Sequence, residues 1–268
     1  MNSKICVIGC GWLGFPLAKT LIELGNTVHG STTSKDKIKT LEKAGIIPFL
    51  IHFTSEGVTG NITSCLENCK TLIVNIPPGL RKNSDNDYVK QMTHFVNHIE
   101  SSSVENVLFI GSTSVYDDSE DFPVIREDSL TSNSKTALKL LEVEALFQQN
   151  KNFKTTILRF GGLFGDDRHP ATYLSGKTNL KNGEAPVNLI HREDCVSIII
   201  SVVKNNIWDT IINASTPSHP TKKDYYTSIC KALELPIPEF DNTTTSKGKI
   251  IDSSKLVQLL DYEYKVKL

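Results

Sequence analysis

The chain has 268 residues, of which 39% are hydrophobic and 22% charged, and its formal net charge is −1. This charge excludes a broad basic surface for nucleic acid or an anionic membrane, and no apolar run is long enough to cross a bilayer. The length suits one large α/β domain, or such a domain with a small second lobe.

Apolar, strand-like segments alternate with helical patterns over the first two-thirds of the chain. The predicted strands are Lys4–Ile8, Asn26–Gly30, Ile46–Phe53, Thr71–Ile76, Asn106–Gly111 and Thr155–Phe160. The predicted helices are Phe15–Leu24, Asp36–Lys43, Asp87–Ser101 and Ser134–Gln149. This alternation predicts a doubly wound, Rossmann-type α/β fold, with a parallel sheet covered by helices on both faces.

The pattern is looser after Gly165. The apolar run Cys195–Val203 follows Asp194, a natural helix N-cap, so we predict a helix there. The other predicted elements are a strand at Thr210–Ala214, helices at Lys223–Leu233 and Asp252–Leu260, and a polar loop at Asp241–Lys249.

The six cysteines match no zinc-site spacing, so no metal site is predicted. Two of them, Cys6 and Cys195, lie in apolar runs and are predicted to be core residues. Cysteine usage of this kind is typical of a reducing compartment, and Met1–Cys10 lacks a signal-peptide pattern. We therefore expect a cytoplasmic protein.

The sharpest local signal is a glycine-rich turn between the first strand and the first helix. Gly9, Gly11 and Gly14 form a G-x-G-x-x-G pattern in that context. Gly9 would permit the tight turn, Gly11 the close approach of a pyrophosphate, and Gly14 the packing of helix on strand. The amides of Trp12 and Leu13 would face the phosphates. The alternative is a glycine turn that binds no ligand.

The end of the second predicted strand bears on the choice of cofactor. NAD sites usually carry an acidic residue about 20 residues after the glycine turn. Here the chain instead offers hydroxyls and one cation, at Ser31, Thr32, Thr33, Ser34 and Lys35. These groups suit a 2′-phosphate, so we expect NADP(H) in preference to NAD(H). Alternatively, the hydroxyls cap the helix that begins at Asp36.

Four further motifs follow the glycine turn. They are Val74–Pro78 (VNIPP), Phe109–Tyr116 (FIGSTSVY), Leu158–Gly165 (LRFGGLFG) and Val187–Asp194 (VNLIHRED). In this order they resemble the extended short-chain dehydrogenase/reductases, most closely an atypical branch described as nucleoside-diphosphate-sugar epimerase-like. The resemblance spans nearly the whole chain. It adds these residues to the expected cofactor site: Asn75, Ile76, Pro77, Pro78, Gly111, Phe160, Gly161 and Gly162.

The resemblance also implies a domain organisation. It predicts a Rossmann domain over residues 1–165, to which 190–214 return, and a small C-terminal substrate lobe from 166–189 and 215–268. In many members of the family, the helix after the fourth strand and the helix matching Ser134–Gln149 pair across a dimer. A homodimer is therefore possible here.

The chain departs from this family in its catalytic residues. Members use a Ser or Thr together with Tyr-x-x-x-Lys, in which the Tyr is the general acid and base. Ser112 matches the first position, but Thr136 and Leu140 stand at the Tyr and Lys positions. Tyr116 is a conceivable substitute because it follows a strand end, although a tyrosine there more often packs beneath a loop.

Three residues are candidates for contacting a substrate. Arg168 and Arg192 could bind an anionic group, although surface ion pairs would explain them equally well. His191 could face the substrate or order the loop that leads into the following helix.

Two functions remain open from the sequence. The first is an NAD(P)-dependent oxidoreductase or epimerase-like enzyme acting on a small hydroxyl, keto or nucleotide-sugar compound. The second is a non-catalytic NADP(H)-binding redox sensor or scaffold, which the missing Tyr and Lys motivate.

Overall fold

The computed structural model describes residues 3–79 and 87–268, so the first two residues of the segment Met1–Cys10 lie outside it. Within these residues, seven strands form one sheet, which in spatial order are β12 (Ile211–Ala214), β9 (Lys154–Phe160), β7 (Asn106–Ser112), β6 (Thr71–Val74), β1 (Lys4–Ile8), β2 (Thr27–Thr32) and β3 (Ile47–Leu50). The pairings from β7 through β6, β1 and β2 to β3 are parallel. The predicted doubly wound α/β fold is confirmed.

The strands and helices have the following bounds. The strands of the large sheet are β1 (Lys4–Ile8), β2 (Thr27–Thr32), β3 (Ile47–Leu50), β6 (Thr71–Val74), β7 (Asn106–Ser112), β9 (Lys154–Phe160) and β12 (Ile211–Ala214). The shorter strands are β4 (His52–Thr54), β5 (Gly57–Thr59), β8 (Val124–Ile125), β10 (Gly162–Phe164), β11 (Leu189–His191) and β13 (Ile250–Ile251). The helices are α1 (Gly14–Glu23), α2 (Ile38–Lys43), α3 (Ile62–Leu66), α4 (Tyr88–Glu100), α5 (Lys135–Gln148), α6 (Pro170–Leu174), α7 (Arg192–Lys204), α8 (Lys222–Ala232) and α9 (Ser254–Leu260).

The chain divides into two compact units. The first takes in the described residues of Met1–Gly111, Asn133–Leu158 and Ile198–Ile211. Its core joins β1, β6 and β7 to α3, α4 and α5 through side chains such as Leu72, Phe95 and Phe147. The predicted helix faces of α4 and α5 are therefore buried because they cover an apolar parallel sheet.

The second unit comprises Ser112–Ser132, Arg159–Ser197 and Ile212–Leu268. Its core is smaller and is built around Phe164, Leu189, Tyr225 and Tyr226. The short parallel pairs β10–β11 and β8–β13 belong to this unit. The domain boundaries drawn from the sequence stay a prediction.

Two local predictions were wrong. The predicted strand Ile46–Phe53 is two strands, β3 and β4, because β4 pairs with β5 instead of continuing in the large sheet. Asp194 is not an N-cap, because α7 begins at Arg192 and Asp194 lies in its first turn. The Asp194 carboxylate instead accepts hydrogen bonds from the C-terminal segment, at Tyr262, Lys265 and Val266.

Candidate functional site: a dinucleotide-type glycine turn

The glycine turn lies where the order of the large sheet reverses. β1 pairs with β2 on one side and β6 on the other, so the chain winds outward in both directions from this point. In open α/β sheets, ligands bind outside the carboxyl ends of the strands at such a switch point. The turn after β1 and the segment after β6 therefore form the place where a nucleotide is expected.

Gly9 is held in a conformation that a side chain would not allow. Its φ is +100°, and a Cβ added to it would lie 2.3 Å from the Asn75 carbonyl oxygen. The Asn75 side-chain amide donates to the Gly9 carbonyl oxygen (3.1 Å), and the Gly9 amide donates to Ser31 Oγ (2.9 Å). The ends of β1, β2 and β6 thus fix the turn together.

Gly14 and Gly11 differ in the space that a side chain would have. A Cβ on Gly14 would lie 2.1 Å from the Gly9 carbonyl oxygen, so α1 can approach β1 only with glycine there. A Cβ on Gly11 would meet no described atom within 4 Å. The turn therefore leaves no room for a side chain at Gly9 and Gly14, whereas Gly11 faces open space. A backbone that receives a pyrophosphate at the N-terminus of α1 needs such an open position.

The five residues predicted to bind a 2′-phosphate fall into two groups. Ser31 and Thr32 are buried, with Ser31 Oγ accepting from Gly9 and Thr32 Oγ1 accepting from the Ser34 amide (3.1 Å). Thr33 and Lys35 are exposed and Ser34 is half-buried. Ser34 makes no side-chain capping bond to the short 3-10 turn that begins at Lys35. The groups facing outward are therefore those at 33–35.

The segment after β6 supports the turn from the other side. Asn75 and Ile76 are half-buried, and the Ile76 carbonyl oxygen accepts from the Tyr88 hydroxyl (3.4 Å). Burial, and then the charge of Glu144, raise the pKa of Tyr88. Pro77 and Pro78 follow in non-regular structure. Gly111, near the end of β7, is half-buried.

In the second unit, the residues after β9 approach neighbouring backbone closely. Phe160 is buried, and the Gly161 amide donates to the Ala214 carbonyl oxygen (2.9 Å). A Cβ on Gly161 would lie 2.7 Å from the Asn188 carbonyl oxygen. Gly161 is thus required by packing, whereas a Cβ on Gly162 would lie 2.7 Å from Leu189 Cδ2, the end of a flexible side chain that can move aside.

Tyr116 lies inside a buried polar network. Its hydroxyl accepts from Arg159 Nη1 (2.6 Å) and donates to Asn213 Oδ1 (3.2 Å), and the Asn213 backbone amide donates to Glu127 Oε1 (2.8 Å). The Arg159 guanidinium also lies 5.1 Å from the Tyr116 ring centroid. Burial raises the pKa of Tyr116, and the charge of Arg159 opposes this. Because the hydroxyl already uses its proton and a lone pair, the geometry favours packing over acid–base catalysis.

We expect Tyr116→Phe to lower the free energy of unfolding by about 1–3 kcal/mol, since it removes the two buried hydrogen bonds that the hydroxyl makes with Arg159 Nη1 and Asn213 Oδ1. Urea unfolding measures the change. Tyr173→Phe is the matched control, because Tyr173 is 80% exposed and its replacement should cost less than about 0.5 kcal/mol. Equal midpoints for both variants would show that the network contributes nothing.

The remaining positions predicted for catalysis are Ser112 and two residues of α5. Ser112 Oγ accepts from the Ser114 amide (3.2 Å), which leaves its own proton available. Thr136, at the position of the family's tyrosine, is exposed in the first turn of α5. Leu140, at the position of the family's lysine, is half-buried and packs against the first unit's core. Neither residue supplies an acid or a base.

The three predicted substrate contacts lie in the second unit near acidic residues. Arg192 forms an ion pair with Asp167 (3.0 Å), the alternative that the sequence left open. His191 Nε2 lies 3.6 Å from Asp166, and its Nδ1 accepts from the Glu193 amide (3.3 Å). The Arg168 backbone exchanges two hydrogen bonds with Gly165 (2.9 and 3.0 Å).

Sequence reasoning missed two buried cations of the second unit. Arg159 is 3% exposed within β9, and Lys249 Nζ donates to the Tyr116 carbonyl oxygen (2.7 Å) and to Asp118 (2.9 Å). Arg159 could have been found from the sequence, because a charged residue inside an apolar strand is expected to be buried and paired. Lys249 lies in a polar segment, and nothing in the sequence sets it apart.

Residues 3–79 and 87–268 contain no group of three or more His, Cys, Asp or Glu side chains placed to hold a metal ion. In the same ranges, no helix combines the length and the apolar character needed to span a membrane.

Comparisons with known proteins agree with the turn and the fold. Residues 4–122 match the family model of the NAD binding domain of 6-phosphogluconate dehydrogenase. A UDP-glucuronic acid 4-epimerase from Bacillus cereus, solved with UDP-glucuronic acid and NAD, superposes with a TM-score of 0.80 at 18% identity, over 98% of this chain and 95% of that one. A short-chain dehydrogenase/reductase superfamily protein from Agrobacterium tumefaciens, solved with bound NAD, gives a TM-score of 0.74 at 16% identity, over 98% and 93%.

A closer relative is found by sequence. Protein YeeZ of Escherichia coli K12 is 31% identical over 264 residues, which cover 97% of this chain and 95% of YeeZ. The expected resemblance to the epimerase-like short-chain dehydrogenase/reductases is confirmed at the level of the fold, and an NAD-binding Rossmann domain is present. The chain belongs to the same family as Protein YeeZ.

Proposed function

We propose that this protein is an enzyme that binds a nicotinamide dinucleotide, NADP(H) in preference to NAD(H), at the carboxyl ends of β1 and β6. The observation that carries the proposal is the open position at Gly11 between the closed positions at Gly9 and Gly14. The turn has no room for side chains at Gly9 and Gly14 but has open space beside Gly11. A pyrophosphate can lie against a backbone of this shape.

Each part of the dinucleotide has a place in the first unit. The backbone at Gly11–Leu13 and the N-terminus of α1 would hold the pyrophosphate, because helix N-termini favour anions. The exposed Thr33 and Lys35, with the half-buried Ser34, would hold the 2′-phosphate. Asn75–Pro78 would border the cofactor, together with Gly111. When bound, the nicotinamide supplies hydride transfer.

The substrate would be a small hydroxyl or keto compound, or a nucleotide sugar such as those bound by the structural neighbours. Ser112 would donate a hydrogen bond to the reacting oxygen, because its Oγ accepts from Ser114 and keeps its proton free. Arg168, His191 and Arg192 would contact an anionic part of the substrate. On substrate binding, Arg192 would leave its ion pair with Asp167, His191 would leave Asp166, and both would bind that group instead.

A parallel fluorescence titration with NADPH and NADH tests the cofactor assignment. We expect saturable NADPH binding that is tighter than NADH binding. Lys35→Gln should weaken NADPH binding about tenfold, since it removes one charge-assisted contact, and leave NADH binding unchanged. Lys39→Gln is the matched control, because Lys39 is also exposed but lies in α2. A preference for NADH would refute the phosphate assignment, and binding of neither would refute the proposal.

The occupied hydroxyl of Tyr116 and the exposed Thr136 favour a second candidate, a redox sensor or scaffold that binds NADP(H) without catalysis. The two functions differ in turnover. If the protein binds NADPH but reduces no member of a panel of carbonyl compounds and nucleotide sugars, the sensor is favoured. Turnover of any member excludes it.

Quaternary structure and location complete the proposal. We infer a homodimer through α4 and α5, because the corresponding helices pair across a dimer in many members of the family that the sequence resembles. A cytoplasmic location fits the six free cysteines.

A further inference from the structure

A histidine ring caps the N-terminus of the short helix α6 in the second unit. His169 is the N-cap residue, and its Nδ1 accepts a hydrogen bond from the Ala171 backbone amide (3.1 Å). An imidazole nitrogen can accept a hydrogen bond only when it carries no proton. The cap therefore requires a neutral ring whose single proton is on Nε2.

The other nitrogen of the same ring connects α6 to α8. His169 Nε2 lies 3.1 Å from the Tyr225 hydroxyl, and because Nδ1 already accepts, Nε2 donates this bond and the tyrosine oxygen accepts it. Tyr225 and Ala171 are both buried in the core of the second unit. The two hydrogen bonds of the neutral ring thus hold the first turn of α6 on α8.

Protonation of the ring would break one of these bonds and keep the other. A proton on Nδ1 would face the Ala171 N–H, so that two donors would point at each other. The bond to Tyr225 would remain, because Nε2 donates in both forms of the ring.

The groups that face the ring do not favour its charged form. His169 and His191 contact the same Phe164 ring edge-on, at 5.3 and 5.1 Å between ring centroids. From α8, Tyr225 and Tyr226 offer neutral hydroxyls, because burial raises the pKa of each to about 12. Asp166, on the turn before α6, lies 3.6 Å from His191 Nε2, and the next residue but one, Arg168, is exposed. Burial, and then the charge of His191, lower the pKa of His169.

A second histidine of the same unit provides a contrast. His219 Nδ1 lies 2.9 Å from the Val187 carbonyl oxygen, which can only accept a hydrogen bond. His219 therefore donates from Nδ1 in either protonation state. Its protonation breaks no bond of this kind, whereas protonation of His169 removes a helix cap.

We propose that His169 is a pH-sensitive cap, which holds the first turn of α6 on α8 while its ring is neutral and releases that turn when the ring is protonated. The released segment directly follows the tight turn that Gly165 and Arg168 close with two backbone hydrogen bonds. Acid would therefore loosen the part of the second unit that carries Arg168. The cap acts without cofactor or substrate, so this inference stands apart from the proposed function.

The direction of the pH dependence follows from the lowered pKa of the capping ring. When α6 is open, the His169 ring is in water and takes up a proton below about pH 6.5. In the capped form the ring takes up that proton only at a lower pH. Between these two values the open form binds more protons, so opening becomes more favourable as the pH falls. Above about pH 6.5 neither form is charged, and opening does not depend on pH.

Hydrogen exchange of the native full-length protein, followed by mass spectrometry at pH 7.5 and pH 5.0, tests the proposal. Exchange rates are divided by the intrinsic amide rates at each pH to give protection factors. We expect the protection of residues 171–177 to fall at least about threefold between the two pH values, and that of α5 in the first unit to stay constant. Equal protection of residues 171–177 at both pH values would overturn the proposal.

Three variants separate the cap from other effects of acid. In His169→Asn the side-chain oxygen can accept from the Ala171 amide but does not titrate, so the protection of α6 should be the same at both pH values. His169→Ala lacks the cap and should have low protection at both. His219→Gln should keep the fall seen in the unmodified protein.

Two results would contradict the assignment to His169. One is a fall in protection in His169→Asn as large as that in the unmodified protein, which would place the titrating group elsewhere. The other is full protection of α6 at pH 7.5 in His169→Ala, which would show that the ring does not hold the helix. Neither measurement requires a cofactor or a substrate.

Discussion

Gly11→Ala is expected to weaken dinucleotide binding at least tenfold while leaving the melting temperature close to that of the unmodified protein. A methyl group at residue 11 meets no described atom within 4 Å, so the fold accepts it. The same methyl group would occupy the space that the pyrophosphate needs, and the loss of about 1.4 kcal/mol or more of binding free energy corresponds to that factor.

Gly14→Ala is the matched variant and should behave in the opposite way. Its methyl group would lie 2.1 Å from the Gly9 carbonyl oxygen, so α1 must move away from β1. Overpacking of this kind costs about 1–3 kcal/mol of unfolding free energy. Thermal unfolding without ligand and NADPH titration together separate the two effects. If Gly11→Ala binds as tightly as the unmodified protein, the open position does not receive the phosphates.

Asp194→Ala is expected to lower the unfolding free energy by about 3–5 kcal/mol. The substitution removes a buried carboxylate and leaves three hydrogen-bond donors without their acceptor. Asp194 is fully buried, and its carboxylate accepts from the Tyr262 hydroxyl (2.8 Å), the Lys265 amide (2.8 Å) and the Val266 amide (3.2 Å). Val266 and Leu268 pack against the core of the second unit. The carboxylate thus holds the C-terminal segment on that core.

Glu193→Gln is the control for this prediction. Glu193 neighbours Asp194 in the first turn of α7, but its ion pair with Lys265 (3.1 Å) is about half exposed. Exposed pairs contribute less than about 1 kcal/mol. Urea unfolding of both variants should show a large shift for Asp194→Ala and a small one for Glu193→Gln. Similar shifts would mean that the C-terminal segment is held by its apolar residues alone.

The glycine turn and the alternation of elements could be predicted from the sequence because both are local. Gly9, Gly11 and Gly14 act within one strand–turn–helix unit, and the apolar runs of β1, β6, β7 and β9 need no distant partner to be recognised. Most predicted bounds lie within a few residues of the observed ones. The same local reasoning identified the segment after β2 as the place where hydroxyl groups cluster.

What a polar side chain does in this protein was decided by residues far along the chain. The Ser31 hydroxyl accepts a hydrogen bond from the Gly9 amide, 22 residues earlier, and the Asp194 carboxylate accepts one from the Tyr262 hydroxyl instead of capping its own helix. The short strand β8 has a partner in β13 more than 120 residues later. A polar group bonds to whichever partner the folded chain brings within reach. When the group is buried it must have such a partner, because water is not available to it. The sequence by itself therefore determined the fold and the glycine turn, whereas the tertiary structure alone decided which polar groups remain free to meet a ligand.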